Sequence, residues 1–318
     1  MNKILITGGA GFIGSSLVEK LSEDKNNFIV VADNLLTGYR SYVPEKDNVE
    51  FVKVDVNNFD DLSSIITYNN FDYIFHFAAV VGVERTLKNP MEVLKDIDGI
   101  KNILLLSKNC KIKRIFFSSS SEVYGEPFEV PQCEDTTPLN SRLPYAVVKN
   151  LCEVFLKTYY KEYGLEYTIF RFFNTYGPKQ SSDFVLTKFI KAALNNEDII
   201  IYGDGKQSRT FLYIDDNVDT MYEIFNKKLC INSVINIGSN VETTIKQLAE
   251  TVIRVTNSKS NIVHVAPLKE GDIQRRQPDT AKMQKIINRE ILPLEQGIRK
   301  TFNYICNFKE HEIFHATI

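Results

Sequence analysis

A glycine-rich segment directly after the first apolar run constrains the fold of this chain more than any other feature. Lys3–Thr7 is largely apolar, and it leads into Gly8-Gly9-Ala10-Gly11-Phe12-Ile13-Gly14, which fits both the G-x-x-G-x-x-G and the G-x-G-x-x-G spacing. Glycine permits a tight turn and lets the backbone approach a pyrophosphate, whose charge a helix N-terminus favours. The segment therefore predicts a strand, a phosphate-binding turn and a helix at Phe12–Leu21.

The position of Asp33 indicates which dinucleotide such a turn would bind. Asp33 ends a second predicted strand, Phe28–Asp33, and follows the last glycine at the spacing of about 20 residues that is typical of a ribose-binding acid. An acid there accepts hydrogen bonds from the adenosine ribose and repels a 2′-phosphate, so it favours NAD over NADP. The predicted cofactor-binding residues are Gly8, Gly11, Phe12, Ile13, Gly14, Asp33, Asn34, Asp55, Val56, Ala78, Ala79, Tyr145 and Lys149.

Short apolar runs alternate with amphipathic segments through the first half of the chain. Strands are predicted at Lys3–Thr7, Phe28–Asp33, Val49–Val54, Tyr73–Phe77 and Arg114–Ser118, and helices at Phe12–Leu21, Met91–Ser107 and Tyr145–Tyr163. Strands that are apolar on both faces and separated by helices indicate a parallel sheet covered on both sides. We therefore predict an α/β fold, a doubly wound parallel sheet of the Rossmann type with a smaller α/β substrate-binding domain.

The alternation becomes less regular in the second half. A strand at Tyr167–Phe173, a helix at Phe184–Leu194, a strand at Val234–Ile237 and a helix at Ile245–Thr256 are still predicted. We expect residues 1–175, with about 211–240, to form the NAD-binding domain, and residues 176–210 and 241–318 to bind the substrate. The tail Asn307–Ile318 has no clear pattern, which predicts a short helix or disorder.

Composition excludes several other classes of function. The formal net charge of −2 offers no global positive field for nucleic acid or an anionic membrane. The five cysteines form no C-x-x-C pair, which favours idle thiols in a reduced compartment. His311 and His315 have helical spacing but no evident third ligand, so we expect no metal site. The apolar run after Met1 is too short for a signal peptide, and we expect a cytoplasmic protein without a membrane span.

Tyr145 and Lys149 form the predicted catalytic pair. They lie four residues apart within one predicted helix, and therefore share a face of it. A phenol is a poor base because its ordinary pKa is about 10. A neighbouring ammonium and a bound nicotinamide cation both favour the phenolate, so we expect the pKa of Tyr145 to be lowered. Behind a dinucleotide-binding turn, this pair predicts a general base.

A run of serines supplies a third element of the predicted site. The strand beginning at Arg114 leads into Ser118-Ser119-Ser120-Ser121-Glu122. Residues beyond the carboxyl end of a strand line the ligand crevice of a doubly wound sheet, and hydroxyls there can donate to an alcohol or a forming carbonyl. Ser120, Ser121 and Glu122 therefore join Tyr145 and Lys149 as predicted catalytic residues.

Taken together, the motifs resemble one family. The chain is similar to the extended short-chain dehydrogenases/reductases, in the group of nucleotide-sugar epimerases, dehydratases and decarboxylases. The similarity covers nearly the whole length and rests on six motifs in the order of that family, which are TGGAGFIG, SSSSEVYG, YAVVK, RFFNTYGP, GDGKQSRTFLYIDD and RRQPD.

The resemblance implies a role for each matching residue of the catalytic group. Tyr145 would remove the proton of a sugar hydroxyl while hydride passes from the sugar carbon, C4 by family habit, to NAD. Lys149 would bind the nicotinamide ribose and hold the phenolate. Ser120 would hydrogen-bond the same sugar oxygen.

The resemblance also implies a substrate, a nucleoside-diphosphate sugar. Asn174 would contact its diphosphate. Arg209 and Arg276 would hold the diphosphate or the nucleotide ribose, because the fork of a guanidinium matches phosphate oxygens. A surface ion pair is the alternative for the arginines, and for Arg275 above all.

The step that follows oxidation distinguishes the members of this family. Dehydratases resemble the chain at Glu122 but carry an aspartic acid where this sequence has Ser121, a feeble proton donor, so dehydration is disfavoured. The Ser121–Glu122 pair with Arg276 is similar to UDP-glucuronate decarboxylases. The segment Ala79–Thr86 departs from their pattern, which puts decarboxylation second. We expect release of the 4-keto sugar by a 4-dehydrogenase, or its return as the C4 epimer.

Three further expectations complete the prediction. The overall sequence is similar to the GDP-manno-heptose 4-dehydrogenases of bacterial capsule pathways, which implies a role in surface-polysaccharide synthesis. By resemblance, the helices at Met91–Ser107 and around Tyr145 would pair across a two-fold axis in a homodimer. The alternative from another class is a catalytically silent NAD-binding regulator, against which the intact Tyr145–Lys149 pair argues.

Overall fold

The computed structural model describes residues 1–267 and 275–315, without the side chains of residues 83, 84, 87 and 308–315. Its strands are β1 (Asn2–Thr7), β2 (Asn27–Asp33), β3 (Val49–Lys53), β4 (Tyr73–His76), β5 (Arg114–Ser120), β6 (Glu166–Phe172), β7 (Thr175–Tyr176), β8 (Ile199–Tyr202), β9 (Ser208–Thr210), β10 (Leu212–Tyr213), β11 (Ser233–Ile237), β12 (Glu242–Thr244) and β13 (Ile262–Val265). Its helices are α1 (Phe12–Leu21), α2 (Phe59–Asn69), α3 (Val83–Lys88), α4 (Pro90–Asn109), α5 (Pro144–Tyr163), α6 (Val185–Asn195), α7 (Ile214–Asn226), α8 (Ile245–Thr256), α9 (Ala281–Ile287) and α10 (Leu294–His315).

Seven parallel strands form the central sheet, in the order β11-β6-β5-β4-β1-β2-β3. The chain starts in the middle at β1, adds β2 and β3 on one side, and then crosses over to β4 on the other. A crevice therefore opens between the carboxyl ends of β1 and β4, where the strand order reverses and ligands bind in folds of this kind.

Both faces of the sheet are buried, which explains the uninterrupted apolar runs. Ile4 and Ile6 contribute to the core on one face, whereas Leu5 contributes to the core on the other, and all three are fully buried. Helices α1 and α7 pack together on the first face, and α2, α4 and α5 cover the second. Each such aliphatic side chain contributes about 1.5–3 kcal/mol on burial. Apolar side chains on both faces of the strands therefore keep the sheet in the interior of the protein.

Three two-stranded sheets accompany the central one. β8 pairs with β13 in parallel, β9 pairs with β12 in antiparallel orientation, and β7 pairs with β10 in parallel. Helix α8 packs against α6 and α10 beside β8. Thr244 begins α8 with a capping box, in which its hydroxyl accepts from the Gln247 backbone and the Gln247 side chain accepts from the Thr244 backbone.

The predicted α/β class, with a doubly wound parallel sheet, is confirmed. Several predicted element bounds differ by one or two residues from the observed ones. The strand beginning at Arg114 continues to Ser120, because Ser118–Ser120 stay in register with β6. Of the two alternatives predicted for the tail, a helix is found over residues 307–315, where it forms the end of α10. The side chains of His311 and His315 lie outside the described part. Among the described residues, no helix is long and apolar enough to cross a membrane.

Candidate active site

A cavity of about 620 Å³ lies at the carboxyl ends of the central strands. It is lined by residues from the glycine turn, the ends of β2 and β5, the segment after β4, and helix α5. Most of the predicted site residues contribute to its wall, namely Gly8, Gly11, Phe12, Ile13, Gly14, Asp33, Asn34, Asp55, Val56, Ala78, Ala79, Ser120, Ser121, Glu122, Tyr145, Lys149, Asn174 and Arg276. The structure thus brings together side chains that are far apart in sequence.

The glycine turn has the shape that a pyrophosphate requires. Gly8 adopts φ +70°, a left-handed conformation that other residues rarely adopt. A Cβ at Gly14 would lie 2.3 Å from the Gly8 carbonyl oxygen, so the turn and the start of α1 can pack this closely only without a side chain. The free backbone N–H groups at the start of α1 then face the crevice, where they favour an anion.

Asp33 ties the glycine turn to the end of β2. Its Oδ2 accepts a hydrogen bond of 3.0 Å from the Ala10 backbone, and its Oδ1 accepts one of 2.8 Å from Leu35. Burial raises the pKa of Asp33, while both backbone bonds oppose that shift. Each carboxylate oxygen can accept a further hydrogen bond, so Asp33 can still receive the ribose hydroxyls. The residues of this half of the crevice fit NAD.

Helix α5 presents Tyr145 and Lys149 to the crevice. Pro144 begins the helix with its fixed φ angle, which places Tyr145 in the first turn. Lys149 is only 3% exposed. Its Nζ lies 5.8 Å from the centre of the Tyr145 ring and 4.8 Å from that of Phe117. The predicted pair therefore shares one wall of the site, with the lysine beneath the phenol.

The predicted lowering of the pKa of Tyr145 depended on Lys149 and a bound nicotinamide cation together, and without NAD this pKa is raised. Burial raises the pKa of Tyr145, and the nearby carboxylate of Glu122 raises it further, whereas a hydrogen bond with Ser120 opposes the shift. Burial also lowers the pKa of Lys149, because a desolvated ammonium is penalised. The phenol therefore needs a positive charge beyond that of the lysine before it can act as a base near neutral pH.

The serine run and Arg276 lie next to Tyr145 in the wall of the cavity. Ser120 accepts a hydrogen bond from the Glu122 backbone at 3.2 Å, which begins a 3₁₀ turn over Ser121–Tyr124. Arg276 is 5% exposed, and its Nη1 lies 3.3 Å from Glu122 Oε1 and 3.5 Å from Ser121 Oγ. Its Nε is buried without a hydrogen-bond partner among the described residues. This guanidinium is therefore incompletely satisfied and lies at the edge of the cavity.

The other predicted substrate residues differ in position. Asn174 lines the cavity and donates to the Thr210 carbonyl at 3.0 Å. Arg209 lies on β9 and does not line the cavity, and its Nη1 donates to the neighbouring Ser208 carbonyl at 2.8 Å. Arg275 pairs with Glu242 at the surface, as the alternative prediction for it proposed.

A model of the GDP-mannose 4,6 dehydratase family matches residues 5–301 of the chain. The UDP-N-acetyl-α-D-glucosaminuronate decarboxylase of Bacillus cytotoxicus is 34% identical over 326 aligned residues, covering 98% of each protein. The chain belongs to the extended short-chain dehydrogenase/reductase family. Two solved structures are also similar to this extended short-chain dehydrogenase/reductase over nearly its full length.

One of these structures is the UDP-glucose 4-epimerase of Thermotoga maritima with UDP-glucose. It has a TM-score of 0.90 and 31% identity, over 96% of this chain and 99% of that one. The other is the UDP-glucuronic acid 4-epimerase of Bacillus cereus in complex with UDP-glucuronic acid and NAD, with a TM-score of 0.89 and 27% identity over the same shares. Epimerases and a decarboxylase are thus both among the relatives of this chain, as the family resemblance anticipated.

Three residues of the extended short-chain dehydrogenase/reductase site were missed by the sequence reasoning. Asp96 on α4 lines the cavity, accepts from the Val80 backbone at 2.8 Å, and lies close enough to Lys149 to interact electrostatically. Arg85 and Asp183 also line it and form a 2.9 Å ion pair between two segments of the wall. The only signal that the sequence offered for Asp96 was its acidic side chain within the predicted helix Met91–Ser107.

A buried ion pair supports the floor of the site. Glu153, fully buried on α5, receives two hydrogen bonds from Arg171, at 2.8 and 3.0 Å. The same carboxylate accepts from Ser119 Oγ at 2.6 Å. A bidentate pair of this kind fixes geometry as well as charge. It therefore joins β5, β6 and α5 below Ser120 and Tyr145.

Proposed function

We propose that this protein uses NAD to oxidise C4 of a nucleotide-linked sugar, which it releases as the 4-keto sugar or returns as the C4 epimer. The observation that carries the proposal is the convergence of Tyr145, Lys149 and Ser120 on one crevice with the glycine turn and Asp33. A silent NAD-binding regulator would not require a buried lysine beneath a phenol, because burial makes that arrangement costly.

The residues present assign the steps of the oxidation. Tyr145 takes the proton of the C4 hydroxyl as the C4–H bond breaks, and the C–O bond becomes a carbonyl. When bound, NAD supplies the acceptor for the hydride and a positive charge that favours the phenolate. Ser120, which lies near enough to the phenol to favour its ionised form, would orient the same oxygen. Lys149 holds the cofactor ribose and limits the accumulation of charge at the buried phenolate.

The proposed domains would share the cavity between the cofactor and the substrate. Residues 1–175, with about 211–240, would hold NAD through the glycine turn and Asp33. Residues 176–210 and 241–318 would hold the nucleotide sugar, with Arg276 directed at its anionic part. Asn174, at the end of the first segment, would contact the same part of the substrate. Arg209 would contribute only if the substrate extends beyond the cavity toward β9. The resemblance to capsule-pathway enzymes supports a product used in bacterial surface polysaccharide.

Helices α4 and α5 support the proposal of a homodimer. They pack side by side. Their outer surface exposes a set of apolar side chains, with exposed fractions of 37–68%, made up of Met91, Leu94, Leu105, Val147, Leu151 and Val154. An apolar face that the chain itself leaves uncovered is typical of a subunit interface. A second copy would cover it in a four-helix bundle.

Decarboxylation of a nucleotide-linked uronate is the second candidate, and one specific observation favours it. Arg276, Glu122 and Ser121 meet beside Tyr145, where a substrate carboxylate could bind the incompletely satisfied guanidinium. A ketone at C4 makes the C5 carboxylate a β-keto acid, which loses carbon dioxide when the electrons of the breaking bond pass to the C4 oxygen. Tyr145 and Ser120 can hydrogen-bond that oxygen as its charge develops.

A panel of sugar nucleotides tests these functions together. The purified enzyme would be incubated with NAD and UDP-, GDP- or dTDP-linked hexoses, heptoses and hexuronates, and the product masses recorded. Loss of two hydrogens identifies dehydrogenation, loss of carbon dioxide identifies decarboxylation, and an unchanged mass with altered retention identifies epimerisation. No product and no reduced nicotinamide with any of these substrates would favour the silent binder.

A further inference from the structure

A second cavity lies at the opposite end of the central sheet. Its volume is about 600 Å³, and its wall is formed at the amino ends of β4, β5 and β6, by the loop after α4 and by the ends of α5 and α7. Five of its lining side chains are cationic, namely Lys108, Lys111, Lys113, Arg114 and Lys228, whereas Glu166 is acidic. The net charge of the whole chain is −2, so this cluster is a local concentration of positive charge.

Arg114, the first residue of β5, is the buried member of the cluster. It is 3% exposed and forms no ion pair with any described residue. Its Nη2 donates to Thr168 Oγ1 and to the Leu229 carbonyl, while its Nε is buried with no partner among the described residues. Burial lowers the pKa of Arg114 to about 10. Arg114 forms no close ion pair, and only the more distant charge of Glu166 on the neighbouring strand offsets its burial, so a bound anion would relieve part of the cost.

Two more features show that polar and charged groups in the cavity wall lack partners among the described residues. Ser107, fully buried on α4, lines the cavity, and its Oγ has no partner within the described part of the chain. Lys113 is already paired with Asp72 at 2.7 Å. Lys108, Lys111 and Lys228 are exposed and form no ion pair with a described residue. Lys108 lies over the Tyr163 ring, whereas Lys111 and Lys228 remain available to a ligand.

Helix ends offer the simplest other explanation for these lysines. Cations near a helix C-terminus interact favourably with its dipole, and α4, α5 and α7 all end here. The backbone already caps those ends, however. The carbonyls of Leu106, Tyr160 and Glu223 accept from the backbone N–H groups of Cys110, Gly164 and Lys227, respectively. Helix capping also cannot explain why Nε of Arg114 lacks a hydrogen-bond partner among the described residues, because Arg114 belongs to a strand.

We propose that this cavity binds a nucleoside polyphosphate, with its phosphates on Arg114, Lys111 and Lys228. A guanidinium and several ammonium groups around one concavity are the usual donors to phosphate oxygens. Tyr163 is 54% exposed, and we assign the base to its ring, where the base would take the place of Lys108 Nζ, now 4.1 Å from the ring centre. The volume lies within the range typical of small-molecule sites.

Photolabelling of the full-length enzyme with 8-azido-ATP in the presence of saturating NAD tests the proposal. Label should appear in the peptide that contains Tyr163 or Tyr73, and excess ATP should suppress it. The double variant Lys111→Gln/Lys228→Gln removes two exposed cations without touching the core. It should weaken ATP binding at this site at least about tenfold, while the control Lys259→Gln, exposed beyond α8, leaves it unchanged.

Two results would overturn the proposal. The first is labelling confined to crevice peptides, with an ATP affinity that the double variant does not alter. The second is inorganic pyrophosphate that competes as well as ATP, which would show that the nucleoside makes no contact. An Arg276→Ala variant, altered only in the crevice, should retain the labelling at Tyr163 or Tyr73. Failure of the proposed C4 oxidation would be seen separately, in product masses.

Discussion

Nη1 of Arg276 lies 3.3 Å from Oε1 of Glu122, and this contact joins two segments that are 154 residues apart in the sequence. It places a buried cation beside the serine run, within the same cavity as Tyr145. Because Nε of Arg276 has no partner among the described residues, an anionic group of the substrate would complete its hydrogen bonds. We therefore expect the arginine to link recognition of the substrate to the catalytic wall.

Substitution Arg276→Ala should lower kcat/KM on the true substrate by about 10- to 100-fold, because a hydrogen bond to a charged group contributes about 1.5–3 kcal/mol. Steady-state kinetics would measure the loss. Arg275→Ala is the matched control, since Arg275 is an exposed neighbour paired with Glu242, and should change kcat/KM less than about threefold. Equal losses in both variants would show that Arg276 has no special role.

Substitution Gly14→Ala should abolish NAD binding, measured by calorimetry. The new Cβ would lie 2.3 Å from the Gly8 carbonyl oxygen and would push the turn away from α1. Gly164→Ala is the control, because Gly164 has open space around it but adopts φ +72°. It should cost about 1–2 kcal/mol of stability and leave NAD affinity intact. Normal NAD binding by Gly14→Ala would contradict the assignment of the turn.

Much of this architecture follows from sequence patterns, because the parallel strands are buried on both faces. Helix α1 was predicted with its observed bounds, and the glycine turn and Asp33 lie in the crevice as expected. Asp96 was missed because a single acid in an amphipathic helix usually faces solvent. Arg209 was predicted to bind the substrate from its motif alone, and a motif does not show whether a residue reaches the cavity.

Electrostatics could not be predicted from spacing in the same way. The four-residue separation of Tyr145 and Lys149 correctly places both on one face. It contains no information on desolvation, which raises the pKa of Tyr145 and lowers that of Lys149. Glu153 and Arg171, which support this wall from below, belong to different elements, so only the fold brings them together.

Substitution Asp96→Asn should stabilise the cofactor-free protein at neutral pH. Burial raises the pKa of Asp96 to about 6, so the folded state binds its proton more tightly than the unfolded state does. Its contribution to stability is therefore lost as pH rises from about 4 to 6. Asparagine can still accept from Val80, and we expect a gain of about 1–3 kcal/mol at pH 7.5 and little at pH 4.

Thermal unfolding across pH 4–8 would test the Asp96 prediction, with Asp98→Asn as the matched control. Asp98 lies two residues further on α4 and is exposed, and its ion pair with Lys101 is at the surface. This control should show no pH-dependent gain. An Asp96→Asn variant that is no more stable than the wild type at pH 7.5 would contradict the assigned cost of the buried carboxylate.

The double substitution Leu151→Glu/Val154→Glu should convert the proposed dimer to a monomer in light scattering at micromolar concentration. It places two carboxylates in the apolar surface of α4 and α5, where a partner would have to desolvate them. Val241→Glu, at a 62% exposed position away from these helices, should leave the dimer intact. A wild-type protein that is already monomeric under these conditions would remove the proposal.

Tyr145→Phe is the most direct test of the account, because its central claim is that this phenol takes the proton of the sugar hydroxyl. With the substrate found in the panel, single-turnover formation of reduced nicotinamide would be followed by absorbance, and NAD binding by calorimetry. We expect the rate to fall by at least about 10²-fold with NAD affinity unchanged. Turnover at the wild-type rate in this variant would contradict the claim.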